Sequence, residues 1–191
     1  RMIMNAAYLS RLSLPESILK RVSPTDDFPC GAYPDDVRFN ALAMNSVLYA
    51  RKDSLSYAIN NFALENKLYI VGVAQGYARC SVLALPSANR AVTADEGLAL
   101  AMEAHGVKVL RISPGGIKLD GCEYGFIGGA SFVDDPRSCC SLRSRPAVYF
   151  FGSAAAHPDG TRITRFCTEG GYDIISLGCE LTDFGGGIVI Y

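Results

Sequence analysis

Two glycine-led apolar runs constrain this chain more than anything else in it. They are Tyr124-Gly125-Phe126-Ile127-Gly128-Gly129-Ala130-Ser131-Phe132 and Asp183-Phe184-Gly185-Gly186-Gly187-Ile188-Val189-Ile190-Tyr191. In each, glycines stand immediately before or inside a short run that reads as a strand. Glycine at the start of a strand marks a bulge, a sharp bend or a close backbone approach. Two copies, with strand, helix and strand material between them, predict one supersecondary unit used repeatedly around a common centre.

The rest of the chain keeps that rhythm. Ser13 to Arg21 has a cap candidate, an early Pro15 and a short amphipathic helix. Asp26 to Asp36 reads as a loop rich in Asp and Pro. Val47 to Ala50 reads as a strand, and Asp53 is placed to cap a helix through about Glu65, with Leu55, Ile59, Phe62 and Ala63 on one face. Leu68 to Val73 is a continuous apolar run, the pattern of a strand buried on both faces. Ser81 to Leu85 and Arg90 to Thr93 form a predicted hairpin around Pro86-Ser87-Ala88-Asn89. Asp95 then starts a helix closed by His105-Gly106, and Val107 to Ile112 is the next strand. A last round gives Phe126 to Val133, Ala147 to Phe151, a helix from Asp159 to Glu169 closed by Gly170-Gly171, and Tyr172 to Leu177. The unit is strand, strand, helix, strand, with the helix starting at Asp53, Asp95 or Asp159. A doubly wound sheet would alternate single strands with helices and carry a phosphate loop after the first strand. Neither is present. The expectation is an α/β fold of repeated ββαβ modules in one domain over 1–191, with modules near 1–37, 38–74, 80–113 and 125–177 and a closing strand over 184–191. The abrupt apolar start at Met2-Ile3-Met4 predicts an incomplete first module, and an exposed sheet edge there predicts a homodimer.

Composition removes several functions. Formal net charge is -1, and the densest basic stretch, Arg137 to Arg145, holds three arginines in nine residues. That is no electrostatic footprint for nucleic acid. No apolar run approaches the roughly 18 residues that span a bilayer, so no membrane partner is expected. The seven cysteines have no CxxC pair and no regular spacing. A reducing cytoplasm follows as the expected compartment, with adjacent Cys139-Cys140 as free thiols. Two distant histidines give no zinc spacing, and no GxxxxGK[ST] loop occurs, so neither a metal nor a cofactor is expected.

The paired-strand rhythm resembles the guanidino-group-modifying (pentein) superfamily, and more narrowly an uncharacterised bacterial family assigned to that fold. The segments that carry the resemblance are Pro34 to Ala41, Gln75-Gly76-Tyr77-Ala78-Arg79-Cys80-Ser81, Thr93-Ala94-Asp95-Glu96-Gly97, Tyr124 to Ala130, His157-Pro158-Asp159-Gly160 and the final glycine strand. The resemblance covers roughly 33–191 and implies a pentein-like α/β propeller about a pseudo-symmetry axis. Catalytic members of the superfamily end on a glycine-rich strand that delivers a nucleophilic Cys just past a His. Val189 and Ile190 stand at those places here. Amidino-carbon attack needs a thiolate with an acid/base partner, so that chemistry loses its usual residues.

The remaining candidates are weighed residue by residue. Cys80 follows Arg79, whose guanidinium would lower a thiol pKa; a small buried hydrophobe is the plainer reading. His157 is one of two histidines, suited to acid/base work or to an unremarkable loop. Asp159 reads as a helix cap. His105 suits the end of a helix dipole. Asp95 also reads as a cap, and the resemblance adds that such carboxylates hold a guanidinium bidentately. Asn40, Gln75, Tyr77, Arg79 and Tyr124 abut apolar strands, with Gly128, Gly129 and Asp183 beside the glycine runs. Clustered at module starts, they would line a small-ligand pocket. Two functions follow. One is a catalytically silent binder of a small polar, guanidino- or amino-acid-like ligand or of a partner protein. The other is a hydrolase or transferase acting on an amidino, guanidino or related C–N bond through Cys80 and His157.

Overall fold

The computed structural model describes residues 2–29, 31–136 and 143–185. Strand β1 (Met2–Asn5) runs parallel to β2 (Val22–Thr25) across two four-residue helices, α1 (Ala6–Leu9) and α2 (Glu16–Leu19). The helix predicted over Ser13 to Arg21 is therefore a single turn, because Pro15 holds the chain extended at its N-cap.

Three units of identical topology follow. In the first, β3 (Leu42–Met44) pairs antiparallel with β4 (Val47–Ala50), which pairs parallel with β5 (Tyr69–Gly72) after helix α3 (Tyr57–Glu65). The β3–β4 turn puts Asn45 and Ser46 at φ 49° and 64°, the left-handed pair that a two-residue hairpin of this twist requires. The second unit opens with a one-turn helix, α4 (Ala78–Ser81), and continues through β6 (Val82–Leu85), β7 (Arg90–Thr93), α5 (Glu96–Glu103) and β8 (Lys108–Arg111). The third has β9 (Ser131–Asp134), β10 (Ala147–Phe150), α6 (Gly160–Glu169) and β11 (Asp173–Ser176). Each is a three-stranded sheet with its second strand in the middle. The ββαβ rhythm of the sequence thus appears three times in a mixed α/β protein.

Period-two alternation decides how these sheets stack. On β6 and β7, Leu83, Leu85 and Val92 join one core with Val148, Phe150 and Ile163 of the third unit. Their neighbours Val82 and Ala91 join another with Leu42, Met44, Val47 and Tyr49 of the first. The middle sheet is buried on both faces, each face against a neighbouring unit.

Several local expectations change. Asp53 lies in an isolated 3-10 turn, and α3 begins four residues later under Ser56, whose hydroxyl accepts from Ile59 N–H. Asp27 anchors that cap, accepting from Ser56 Oγ at 2.6 Å and Ala58 N–H at 3.1 Å, and both bonds hold its carboxyl below the usual range. Strand β5 is not buried on both faces: Tyr69 is exposed, and among the described residues the strand pairs with β4 alone. The run Phe126 to Val133 is strand only from Ser131, because Phe126 to Ala130 is a turn. Asp159 stands at the α6 N-cap position without capping it. Gly106 and Gly171 close their units' helices at φ 78° and 83°, as their places in sequence predict. The closing strand lies outside the described residues beyond Gly185, as do Val189, Ile190, Cys139 and Cys140.

Candidate functional site

Residues that begin the three units converge on α4 and the glycine turn. Asn40, just before β3, reaches across to α4: its Oδ1 accepts from Arg79 N–H at 2.7 Å and Cys80 N–H at 3.3 Å. Its Nδ2 donates to the Cys80 sulfur at 3.1 Å. One amide thus satisfies two N–H groups of a helix too short to satisfy them itself. The Cys80 thiol in turn faces the Gly185 carbonyl at 3.6 Å. Contrary to the expectation from Arg79, burial pushes this thiol up, with the Asp183 charge acting in the same sense; the Asn40 bond and Arg79 oppose it less. Cys80 lies inside α4 rather than at the strand start.

The glycine turn seats itself against this assembly. Gly129 N–H donates to the Cys80 carbonyl at 2.9 Å. A Cβ on Gly128 would collide with the carbonyl oxygens of Val82, Arg79 and Cys80, so only glycine permits the approach. Asp183 is 6% exposed and fills the space left by Gly125 and Gly129. Its carboxylate accepts from Phe126 N–H and Gly185 N–H, both at 2.7 Å. The glycines and Asp183 are therefore packing partners, with their polar atoms matched.

A different set of residues borders a cleft of about 100 Å³ beside the turn: Gln75, Ser81, Asp95, Tyr124, Phe126 and His157 among others. Four of these sites were expected from sequence: Asp95 lies in the second unit and His157 in the third, with Gln75 and Tyr124 in the segments that lead into those units. Asp95 does two things at once. One oxygen caps α5 at Leu98 N–H (2.7 Å), and the other accepts from Gln75 Nε2 (3.1 Å). Gln75 Oε1 in turn accepts from Tyr77 N–H. The phenol of Tyr77 donates to Asp36, which with burial pushes its pKa up to about 12. Tyr77 stacks between Tyr33 (6.0 Å) and the cleft residue Phe126 (5.9 Å), and Arg51 lies over the Tyr33 ring at 5.2 Å. Tyr77 itself does not border the cleft; it braces Phe126.

His157 is 3% exposed. Its Nδ1 accepts from the N–H of Asp159 at 2.9 Å. With that lone pair occupied, the neutral ring carries its proton on Nε2. Among the described residues Nε2 makes no well-formed hydrogen bond, although the carbonyls of Ser113 and Gly115 lie near the ring. Burial lowers the His157 pKa, against the opposing pull of Asp159 and the carbonyls of Ser113 and Gly115. The ring is thus a neutral N–H donor. Asp159 ties down the cleft loop instead of the helix, accepting from Ser113 N–H at 2.7 Å and pairing with Arg162 at 2.5 Å, which hold its pKa at about 2. Neither ring nitrogen meets Cys80, whose partners are Asn40 and Gly185.

Sequence reasoning passed over Ser81. It is 3% exposed, borders the cleft, and its hydroxyl also lacks a partner among the described residues. Nothing local to a serine before a strand signals this. Among the described residues no group of three or more His, Cys, Asp or Glu could hold a metal ion, and no helix is long and apolar enough to cross a membrane.

The fold and cleft define a mixed α/β protein of repeated ββαβ units with a small polar recess between them. The chain belongs to DUF6873, a family of unknown function, which matches it over residues 13–188. No curated protein and no solved structure matches it.

Proposed function

We propose that this chain is a pentein-like propeller that binds a small polar, amino-acid- or guanidino-like molecule in the cleft without transforming it. The observation that carries the reading is the pair of unpartnered polar atoms, Ser81 Oγ and His157 Nε2, on two nearly fully buried residues of one recess. A buried donor without a partner costs about 1–3 kcal/mol, and a ligand acceptor recovers that cost. Asp95 supplies the opposite character, a carboxylate for an ammonium or guanidinium, with the aromatic Phe126 and Tyr124 bordering the same cleft. A molecule with both a cation and an acceptor fits this set. The propeller reading draws support from three units of one topology and from a middle sheet buried against both neighbours.

Silence rather than catalysis rests on three features. The best thiol is raised in pKa, it is already hydrogen-bonded, and its would-be partner His157 has Nδ1 taken by the N–H of Asp159. Among the described residues four cysteines are free, exposed Cys122 and Cys179 with them, which suits a reducing cytoplasm.

The test is a thermal-shift screen with amino acids and guanidino compounds, because a ligand that binds only the folded state raises the transition temperature. A hit whose shift collapses in Ser81→Ala and His157→Gln is the expected result. A hit indifferent to both substitutions, or no hit at all, would sink the proposal.

A further inference from the structure

A second cavity shares no lining residue with the cleft. It measures about 250 Å³ and lies among β3, β6 and β9, the first strands of the three units. Leu42, Leu83, Phe132 and Val133 supply its apolar lining beside the polar Ser131 and Asp135, and among the described residues the one cation bordering it is Arg79.

Arg79 is an unusual arginine for this protein. Most of its side chain is buried. Among the described residues it forms no ion pair, and its guanidinium makes one hydrogen bond, from Nη1 to the Gly128 carbonyl at 3.4 Å. Other arginines are better served: Arg111 forks onto Glu96 and Glu103, and Arg143 pairs with Asp173. A guanidinium carries five donors, and burying it with its charge unopposed is costly unless a counter-charge arrives. Burial lowers its pKa, yet a guanidinium stays charged in proteins.

We propose that this cavity binds a small apolar monocarboxylic acid, its carboxylate on Arg79 and its hydrocarbon body against Leu42, Leu83 and Phe132. The walls select an apolar body over a bare inorganic anion, which would leave them uncovered. Asp135 selects for a single negative charge. It borders the cavity with its carboxylate taken up by Ser87 N–H at 3.1 Å, Ser87 Oγ at 2.6 Å and the Tyr172 hydroxyl at 3.2 Å. A dianion would be repelled by it; a monoanion seated on Arg79 meets the guanidinium's attraction first. Planar, bidentate capture of a carboxylate is the geometry for which arginine is best suited.

The experiment titrates the full chain with benzoate, benzamide and inorganic phosphate by calorimetry, and follows benzoate by methyl NMR. Benzoate should bind at least tenfold more tightly than benzamide, which has the same body without the charge, and tenfold more tightly than phosphate. Methyl signals of Leu42, Leu83 and Val133 should move, and those of Ile112 and Ile117 in the cleft should not. Arg79→Gln should cost benzoate at least tenfold, and Ser81→Ala nothing, which separates this site from the cleft. If Arg79→Gln does not fold, the benzoate-to-benzamide ratio and the methyl map on the unaltered protein decide alone. Equal binding of benzamide, tighter binding of phosphate, shifts confined to the cleft, or no binding of benzoate would each overturn the proposal.

Discussion

The glycine turn and the cleft lie side by side and share Gly125, Phe126 and Ile127, yet they are built on opposite terms. In the turn every polar group named above has found a partner: Asp183 has two backbone donors, Asn40 serves two N–H groups and a thiol, and Gly128 is pressed against three carbonyls. In the cleft, two nearly fully buried polar atoms have no well-formed hydrogen bond among the described residues. Regions of the first kind hold a fold together. Regions of the second kind give up stability that a bound molecule can return. The glycine-rich sequence is conspicuous because of packing, and the inconspicuous serine and histidine beside it are where binding is expected.

The sharpest way to break that contrast is Gly128→Ala. With three backbone oxygens in the way, it should cost about 3 kcal/mol or more, read by urea denaturation; a loss under about 1 kcal/mol would mean the turn is not tightly seated. Asp183→Ala should follow at about 2 kcal/mol, since it strands the N–H groups of Phe126 and Gly185. The cleft should behave oppositely. Ser81→Ala removes an atom that bonds nothing, so stability should stay within about 0.5 kcal/mol while binding of the thermal-shift ligand falls; a large destabilisation would show that Ser81 belongs with the turn.

Acidity separates the regions by smaller effects. His157 has its folded pKa below the free value of 6.5. The unfolded chain therefore takes up the proton first, and this residue's contribution to stability is full above 6.5 and falls as pH drops below it. Nitrogen-detected NMR above pH 6.5 should find a neutral ring protonated at Nε2, and a ring protonated at Nδ1 instead would remove the donor from the cleft. Asp159 adds a second window. Its contribution is present above 3.8 and lost as pH falls toward about 2, and Asp159→Asn should flatten stability over that interval. The smallest effect is kinetic: Cys80 should alkylate more slowly with iodoacetamide than exposed Cys122 and Cys179. A faster Cys80 would reopen nucleophilic chemistry beside the turn.

What sequence made legible was whatever is decided within a few residues. Asp95 caps α5 because an Asp before a helix needs only the N–H three residues on. The helix-closing glycines, the Pro86-to-Asn89 hairpin and the ββαβ order follow from similarly short-range rules. Asp53 misled because the true cap, Ser56, is chosen by Asp27, 29 residues earlier in the chain. Cys80 misled because α4 exists only where Asn40 arrives, from 40 residues away, to satisfy its N–H groups. The candidate site was legible in part for the same reason. Gln75 and Tyr124 stand out as polar residues abutting apolar strands, Asp95 as a helix cap and His157 as one of two histidines, and the structure gathers those four around one recess. Ser81 escaped notice because what distinguishes it is a missing partner, and a missing partner is a property of the assembled neighbourhood.

The chain has ten tyrosines and no tryptophan, which turns the Arg51–Tyr33–Tyr77–Phe126 column into an optical device. Its inner end, Phe126, forms part of the cleft wall, and its middle ring, Tyr77, is bonded to a carboxylate and stacked on that wall. A molecule that displaces Phe126 changes the packing of Tyr77, and tyrosine near-ultraviolet dichroism has no indole signal to obscure it. The protein thus carries a built-in chromophore for occupancy of its own cleft.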